Sequence, residues 1–381
     1  MNSRERVRRT LNHQEPDQVP FDFGGTGLTT IHVDAYRRLR AYLDLPPTDV
    51  QILAVPEQLA VVDEDAAQRL GADVRLIRPG LPSEFEVRFR DEGAYEATTD
   101  EWGIGWRKPR DGGFYYDMYH HPLAEADSLA DFQAFRFPDP LDDARFATLR
   151  SQAEAIAEKG KAAVLAGPCA GILEVYSWLR GYEPFYLDLA VNQQAVAYIL
   201  DRLVEFKCAF WERALAELGD LVDVVIEADD LAGQQSLLMS PRTYRNLVKP
   251  RHKQLFSFIK AQAPIKLFFH SCGAVAPLIG DLIDCGIDIL NPVQLSATGM
   301  DPLWLKQQFG KDLTFWGGGV DTQQVLGTGT AEQIRADVKR NIEALSPGGG
   351  FVFAAVHDIQ ANVPPENVMT MWEAWKEFGT Y

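Results

Sequence analysis

The chain is short of several things, and each shortage excludes a class of protein. It has four cysteines in 381 residues, Cys169, Cys208, Cys272 and Cys285, with no framework spacing. That excludes a scaffold built on disulfides, and the thiols read as reduced groups of a cytoplasmic protein. No run approaches the ~18 apolar residues of a membrane span. Residues 1–9 are polar and arginine-rich with no apolar stretch behind them, so neither a signal peptide nor a membrane anchor is expected. Positive charge is scarce, with 37 basic against 54 acidic side chains and a net charge of −17. A nucleic acid or an anionic membrane is therefore not expected as the main partner, although a local basic pocket is still allowed. The cluster Gly24-Gly25-Thr26-Gly27 lacks the last glycine of a dinucleotide fingerprint, because position 30 is Thr30. It reads instead as a loop at the mouth of a site.

What is present is an alternation of short apolar runs with helical patterns. Runs at 73–77, 163–166, 222–226, 265–269, 287–290, 313–316 and 351–356 read as buried strands. Between them, 31–44, 57–70 and 192–218 carry helical periodicity, the last with Val196, Ile199, Leu200, Leu203 and Val204 on one face. Ser240-Pro241 and Asp301-Pro302 are helix starts, and Thr330 with Gln333 forms a capping box. Near-continuous apolar strands alternating with helices specify a parallel sheet covered on both faces. With at least five such units and no nucleotide fingerprint, the expectation is a (β/α)8 TIM barrel of the α/β class, one domain over 1–381. Residues 84–119 break the pattern, with Phe85, Val87 and Phe89 alternating, a turn at Asp91-Glu92-Gly93 and many aromatics. They read as a small antiparallel insert, closed by His120-His121-Pro122 as a loop.

Polar residues stand at the C-terminal ends of these strands, where barrels build their sites. The run 265–269 ends in His270-Ser271-Cys272-Gly273. In an extended chain residues i and i+2 share a side, so an imidazole and a thiolate can converge on one borderline-soft cation such as zinc. His357 ends another strand of the same pattern. His270, Cys272 and His357 thus form a candidate three-ligand set with a fourth place open to Gln294, Asp230, Glu227, a water or the substrate.

His270-Ser271-Cys272-Gly273, Asp229-Asp230-Leu231-Ala232-Gly233, Leu238-Met239-Ser240-Pro241, Phe315-Trp316-Gly317-Gly318 and the ending Val363-Pro364-Pro365-Glu366-Asn367 together resemble the uroporphyrinogen decarboxylase superfamily. The resemblance covers nearly the whole chain and implies a (β/α)8 barrel. True decarboxylases of that superfamily hold porphyrinogen carboxylates with an arginine-rich N-terminal stretch. Here its place is taken by Asp22-Phe23-Gly24-Gly25-Thr26-Gly27, without arginine. The zinc-dependent corrinoid methyltransferase branch is the more similar one. It binds zinc through His-x-Cys and a later cysteine, and in this sequence His357 stands at that later place. The chain has no Asp-x-His-x-x-Gly stretch, so a corrinoid would have to come from a partner protein.

The resemblance implies a cytoplasmic enzyme that uses Zn2+ to move a methyl group between a small methylated substrate and the cobalt of a separate corrinoid protein, with a homodimer as its assembly. Asp229, Asp230 and Glu101 are the expected proton-transfer or hydrogen-bonding residues. Asp22, Trp178, Tyr182 and Gln294 are the expected substrate contacts. Two other readings stand beside this one: a cofactor-free decarboxylase or lyase acting on a non-porphyrin acid, and a non-catalytic protein that binds a corrinoid or tetrapyrrole.

Overall fold

The structure, a computed structural model, describes residues 1–381. Seven parallel strands form one sheet in the order Phe351–Val352, Thr314–Trp316, Ile289–Asn291, Lys266–His270, Val224–Ala228, Ala162–Leu165 and Val74–Ile77. Each is paired with its neighbour in the chain order, as repeated right-handed strand–helix–strand units require. The segment 19–23 joins the two edges. Asp22 N donates to Phe353 O at 2.8 Å, Phe353 N to Pro20 O at 2.8 Å, and Asp73 N to Phe21 O at 2.8 Å. The sheet is thereby curled shut, which leaves no open edge.

Two apolar clusters follow from that closure. A large one lies between the strands and the outer helices, where Val196, Ile199 and Leu203 of the helix Gln193–Leu218 are buried. A small one fills the interior of the barrel with Val74, Ala162, Val164, Val224, Phe268, Ile289, Trp316 and Val352. Val7 and Leu11 belong to the interior cluster. They come from the N-terminal helix Ser3–Leu11, started by an Asn2–Glu5 capping box. Its arginines bind carboxylates at the strand starts: Arg4 and Arg8 reach Asp223 at 3.0 and 2.7 Å, and Arg6 reaches Asp73 at 2.7 Å. The arginine-rich start is therefore a plug on the N-terminal end of the barrel, which leaves the opposite rim for chemistry.

Several elements differ from expectation. Residues 57–70 are not one helix: Ile52–Ala54 and Leu59–Ala60 form a two-stranded hairpin, and the helix is only Glu64–Leu70. Gln58 adopts a left-handed conformation (φ 53°) that a continuous helix cannot contain. The last strand pairs through Phe351 and Val352 only, because Phe353 turns to the 19–23 segment. The insert is a four-stranded antiparallel sheet, Arg90–Glu92, Tyr95–Thr99, Gly105–Pro109 and Asp117–His120, while the alternating Phe85 to Phe89 stretch lies outside it. No helix is long and apolar enough to cross a membrane.

Candidate metal centre

His270 is the last residue of its strand and pairs in register with Asn291 on one side and Ala228 on the other. Gly273, at φ +84°, then turns the chain so tightly that a Cβ there would lie 2.4 Å from Gly233 O. The turn is held from both sides. Cys272 N donates to Asp230 Oδ1 at 2.7 Å and Gly273 N donates to Gln294 Oε1 at 2.5 Å. Gln294 thus supports the Cys272 turn through the oxygen it would otherwise offer as a ligand.

The ligand atoms of His270, Cys272 and His357 lie within 4.8 Å of one another. Cys272 Sγ is 3.4 Å from His270 Nε2, and the two imidazole rings stand nearly edge to face with centroids 5.3 Å apart. The tautomer of His270 follows from its neighbours. Asn291 Nδ2 donates to Trp316 O at 2.8 Å, so Asn291 Oδ1 faces His270 Nδ1, 2.6 Å away, and must accept its proton. The lone pair of the neutral ring is then on Nε2, toward Cys272, an arrangement usual for metal-binding histidines. His357 Nδ1 accepts from Asp358 N at 2.8 Å and lies 3.2 Å from Asp358 Oδ2, whose other oxygen accepts from Thr30 N at 2.8 Å.

Electrostatics within the trio are strong. Burial pushes the Cys272 thiol up, but the imidazoles of His270 and His357 outweigh it and hold the thiol at about 7. Burial pulls His270 down, and the thiolate with Asp230 overcomes this and raises it to about 9. His357 is raised well above an ordinary histidine against the same burial, chiefly by Asp358. Without a cation, the thiolate is neutralised by its histidines. A cation bound to all three would take over that role.

A cleft of about 120 Å³ opens beside the trio, lined by Trp178, Tyr182, Tyr186, Asp230 and Glu174 among others. Asp230 connects the two, since its Oδ1 lies 3.7 Å from His270 Nε2. Glu174, in the first turn of the helix Ile172–Arg180, did not stand out in the sequence. Burial and the nearby Asp230 and Asp229 raise it well above an ordinary glutamate, which favours its protonated form. Its position after Ala162–Leu165, on the loop and helix leaving a barrel strand, is the one signal that could have marked it.

The other expected residues have different surroundings. Asp229 is fully buried: Oδ1 accepts from Leu173 N and Glu174 N at 2.8 and 2.9 Å, and Oδ2 is 2.7 Å from His252 Nε2. It caps the helix Ile172–Arg180, which precedes its own strand in the chain. Gly171 makes room for this, because a Cβ there would sit 2.0 Å from Asp229 Oδ1. Asp22 is buried and accepts from Gly25 N, Thr29 Oγ1 and Trp316 Nε1. Glu101 is bound by the buried Arg145 and lines a different cavity. Glu227 forms a fully buried pair with Lys207 at 2.8 Å and accepts from Trp211 Nε1 at 2.6 Å.

A family model described as uroporphyrinogen decarboxylase (URO-D) matches residues 119–378, and the chain belongs to that family. Among curated proteins it is similar to methylcobamide:CoM methyltransferase MtaA of Methanosarcina barkeri (strain Fusaro / DSM 804), at 27% identity over 168 residues. That alignment covers 44% of this chain, and the chain spans 45% of the relative's length. Among solved structures it resembles a methyltransferase from Methanosarcina mazei with a TM-score of 0.67, at 19% identity and over 99% of both chains, which shows the shared barrel fold.

Proposed function

We propose that the chain is a zinc-dependent methyltransferase that moves a methyl group between a small methylated substrate and the cobalt of a corrinoid carried by a separate protein. The observation that carries this reading is the convergence of His270 Nε2, Cys272 Sγ and a ring nitrogen of His357 at the C-terminal rim. Two imidazoles and one thiolate, with the His270 tautomer already set by Asn291, suit zinc with one position open to substrate. Zinc bound there supplies Lewis acidity to the heteroatom that bears the methyl group. A set with a single thiolate leaves such an ion more electropositive than a set with two. That favours an ether, alcohol or amine over a thiol such as the CoM in the curated relatives' name.

The chain's own groups supply the rest. Glu174, favoured as the protonated carboxyl beside Asp230, would protonate the heteroatom that loses its methyl. Asp230 and Gln294 keep Cys272 in position through the backbone. Asp229 positions the Glu174 turn, while Asp22 and Glu101 support the mouth through their internal bonds. Trp178 and Tyr182 wall the cleft. Tyr182, Tyr186 and Leu238 at the cleft, with Leu187 and Val191 on the same helix as the tyrosines, expose apolar surface on which a corrinoid protein could rest.

Elemental analysis of the purified protein tests the reading. It predicts about one zinc per chain, lost in Cys272→Ser and in His357→Ala, and methyl transfer to cob(I)alamin by the loaded protein. Absence of metal, or full zinc content in folded His357→Ala, would sink the three-ligand set.

A further inference from the structure

Under the antiparallel insert lies a second cavity, of about 730 Å³, whose lining includes none of the three metal-ligand candidates. Its volume is in the range of a small-molecule site. It is bounded by the end of the strand Val74–Ile77, the loop after Ala162–Leu165 and the inner face of the insert. Trp102, Trp106 and Trp178 make much of its wall, the last two edge to face with centroids 5.8 Å apart.

Three charged side chains line the cavity, and they differ in one respect. Asp100 accepts from Trp102 N, Ile104 N and Trp106 Nε1, each at 2.9 Å. Glu101 is engaged by the guanidinium of Arg145. Both carboxylates are therefore satisfied inside the protein. Arg78 is not. Its backbone is clamped by Gln152, whose Oε1 accepts from Arg78 N at 3.0 Å and whose Nε2 donates to Arg78 O at 2.9 Å. Its guanidinium, in contrast, has no hydrogen bond and no ion pair. Burial alone acts on its charge, drawing it below an ordinary arginine, with no carboxylate near enough to restore it. A partly buried guanidinium without a counter-charge is costly, and its planar fork of donors matches a carboxylate in two parallel bonds. Thr98 lines the same cavity with a buried hydroxyl that has no partner, so rotation about χ1 offers a further donor.

We propose that this cavity binds a monocarboxylate with a flat apolar body, Arg78 taking the carboxylate and Trp102, Trp106 and Trp178 covering the ring. One spare positive charge beside two satisfied carboxylates suits a single negative charge and disfavours a dianion such as a phosphate ester. Trp178 also walls the cleft that holds Glu174 and Asp230, so the bound acid is assigned as the methyl donor, an aryl carboxylate bearing a methyl ether. This last assignment rests on the methyltransferase reading above; the carboxylate site does not.

Calorimetric titration of the full chain with benzoate, benzamide and phenyl phosphate tests the site, with quenching of tryptophan emission reporting its location. Benzoate is expected to bind about tenfold or more tightly than benzamide, the difference that one charged hydrogen-bonding partner makes. It should also bind more tightly than phenyl phosphate. Arg78→Met should remove the preference for benzoate while leaving the melting midpoint and metal content as in the parent, and Arg78→Lys should keep part of it. Equal affinity for benzoate and benzamide, tighter binding of phenyl phosphate, or unchanged benzoate binding in folded Arg78→Met would overturn the site. The donor assignment is tested by comparing para-methoxybenzoate with anisole in methyl transfer to cob(I)alamin. Faster, Arg78-dependent turnover of the acid supports it. Equal turnover of the two removes the donor assignment and keeps the methyltransferase reading. Benzoate binding that depends on Arg78, without any methyl transfer from either compound, removes that reading and keeps the site.

Discussion

Two flanks of the same barrel rim carry polar side chains in opposite condition. On one, Glu227, Asp229 and Asp22 are buried carboxylates that accept from Lys207, Trp211, His252, Thr29, Trp316 and three backbone amides. On the other, His270, Cys272 and His357 turn their remaining donor atoms toward one another across a few ångströms. Both sets stand at strand ends, and both look alike in the sequence. The difference is whether lone pairs are already used. A carboxylate whose acceptor sites are taken holds the architecture, because losing it leaves buried donors unsatisfied. A nitrogen or sulfur whose lone pair meets only other ligands is free for a cation.

Substitutions on the two flanks should therefore fail in different ways. The largest effect is expected from Cys272→Ser, which should abolish zinc binding with only a small fall in melting midpoint, as read by elemental analysis and thermal unfolding of one sample. If zinc persists in that variant, the contrast between the flanks breaks. Next in size is Glu227→Leu, which strands the fully buried Lys207 and should cost about 3–5 kcal/mol of stability in denaturant unfolding. The folded fraction should retain its metal. A smaller effect, about 10- to 100-fold in zinc affinity, is expected for Asn291→Ala, because the His270 ring loses the partner that sets its tautomer. Competition with a chromophoric chelator measures it, and an unchanged affinity would show that Asn291 belongs to the structural flank.

The smallest effect concerns pH. Burial raises Asp22 to about 6, above the value of about 4 for an unfolded aspartate. Its contribution to stability is therefore fully present below about pH 4 and is lost as the pH rises through about 6. Asp22→Asn should be less stable than the parent near pH 4, with the gap narrowing toward pH 7. A gap that widens over that interval would contradict the sign.

Much of the rim was legible because its cause is local. A buried strand reads as an apolar run, and a His-x-Cys pair at its end shares a side whatever lies elsewhere. The capping box at Thr330 and Gln333 is equally local, and the helix Ala331–Leu345 starts where it says. Other features had no local mark. Residues 57–70 carry helical spacing, yet Leu59 and Ala60 are drawn into a strand pair with Ile52 and Ala54. Phe85, Val87 and Phe89 alternate as a strand would, but no neighbouring strand is offered to them, and Phe85 and Val87 line the Arg78 cavity instead. Glu174 looks like any acidic residue in a first helical turn. Its raised pKa depends on burial and on Asp230 and Asp229, which follow the strand Val224–Ala228.

The sequence by itself determined the alternation of strands and helices, the three residues of the candidate His/Cys/His cluster and the family to which the chain belongs, because periodicity and short motifs act through neighbours along the chain. Only the tertiary structure decided which polar groups are free. Closure of the barrel through 19–23 and the plug formed by Ser3–Leu11 set the open end. Hydrogen bonds between residues far apart in sequence then satisfy Asp229 and Asp22 and leave the Arg78 guanidinium without a partner. Saturation of a donor or acceptor is a property of the surrounding space, and that space exists only once the chain has folded.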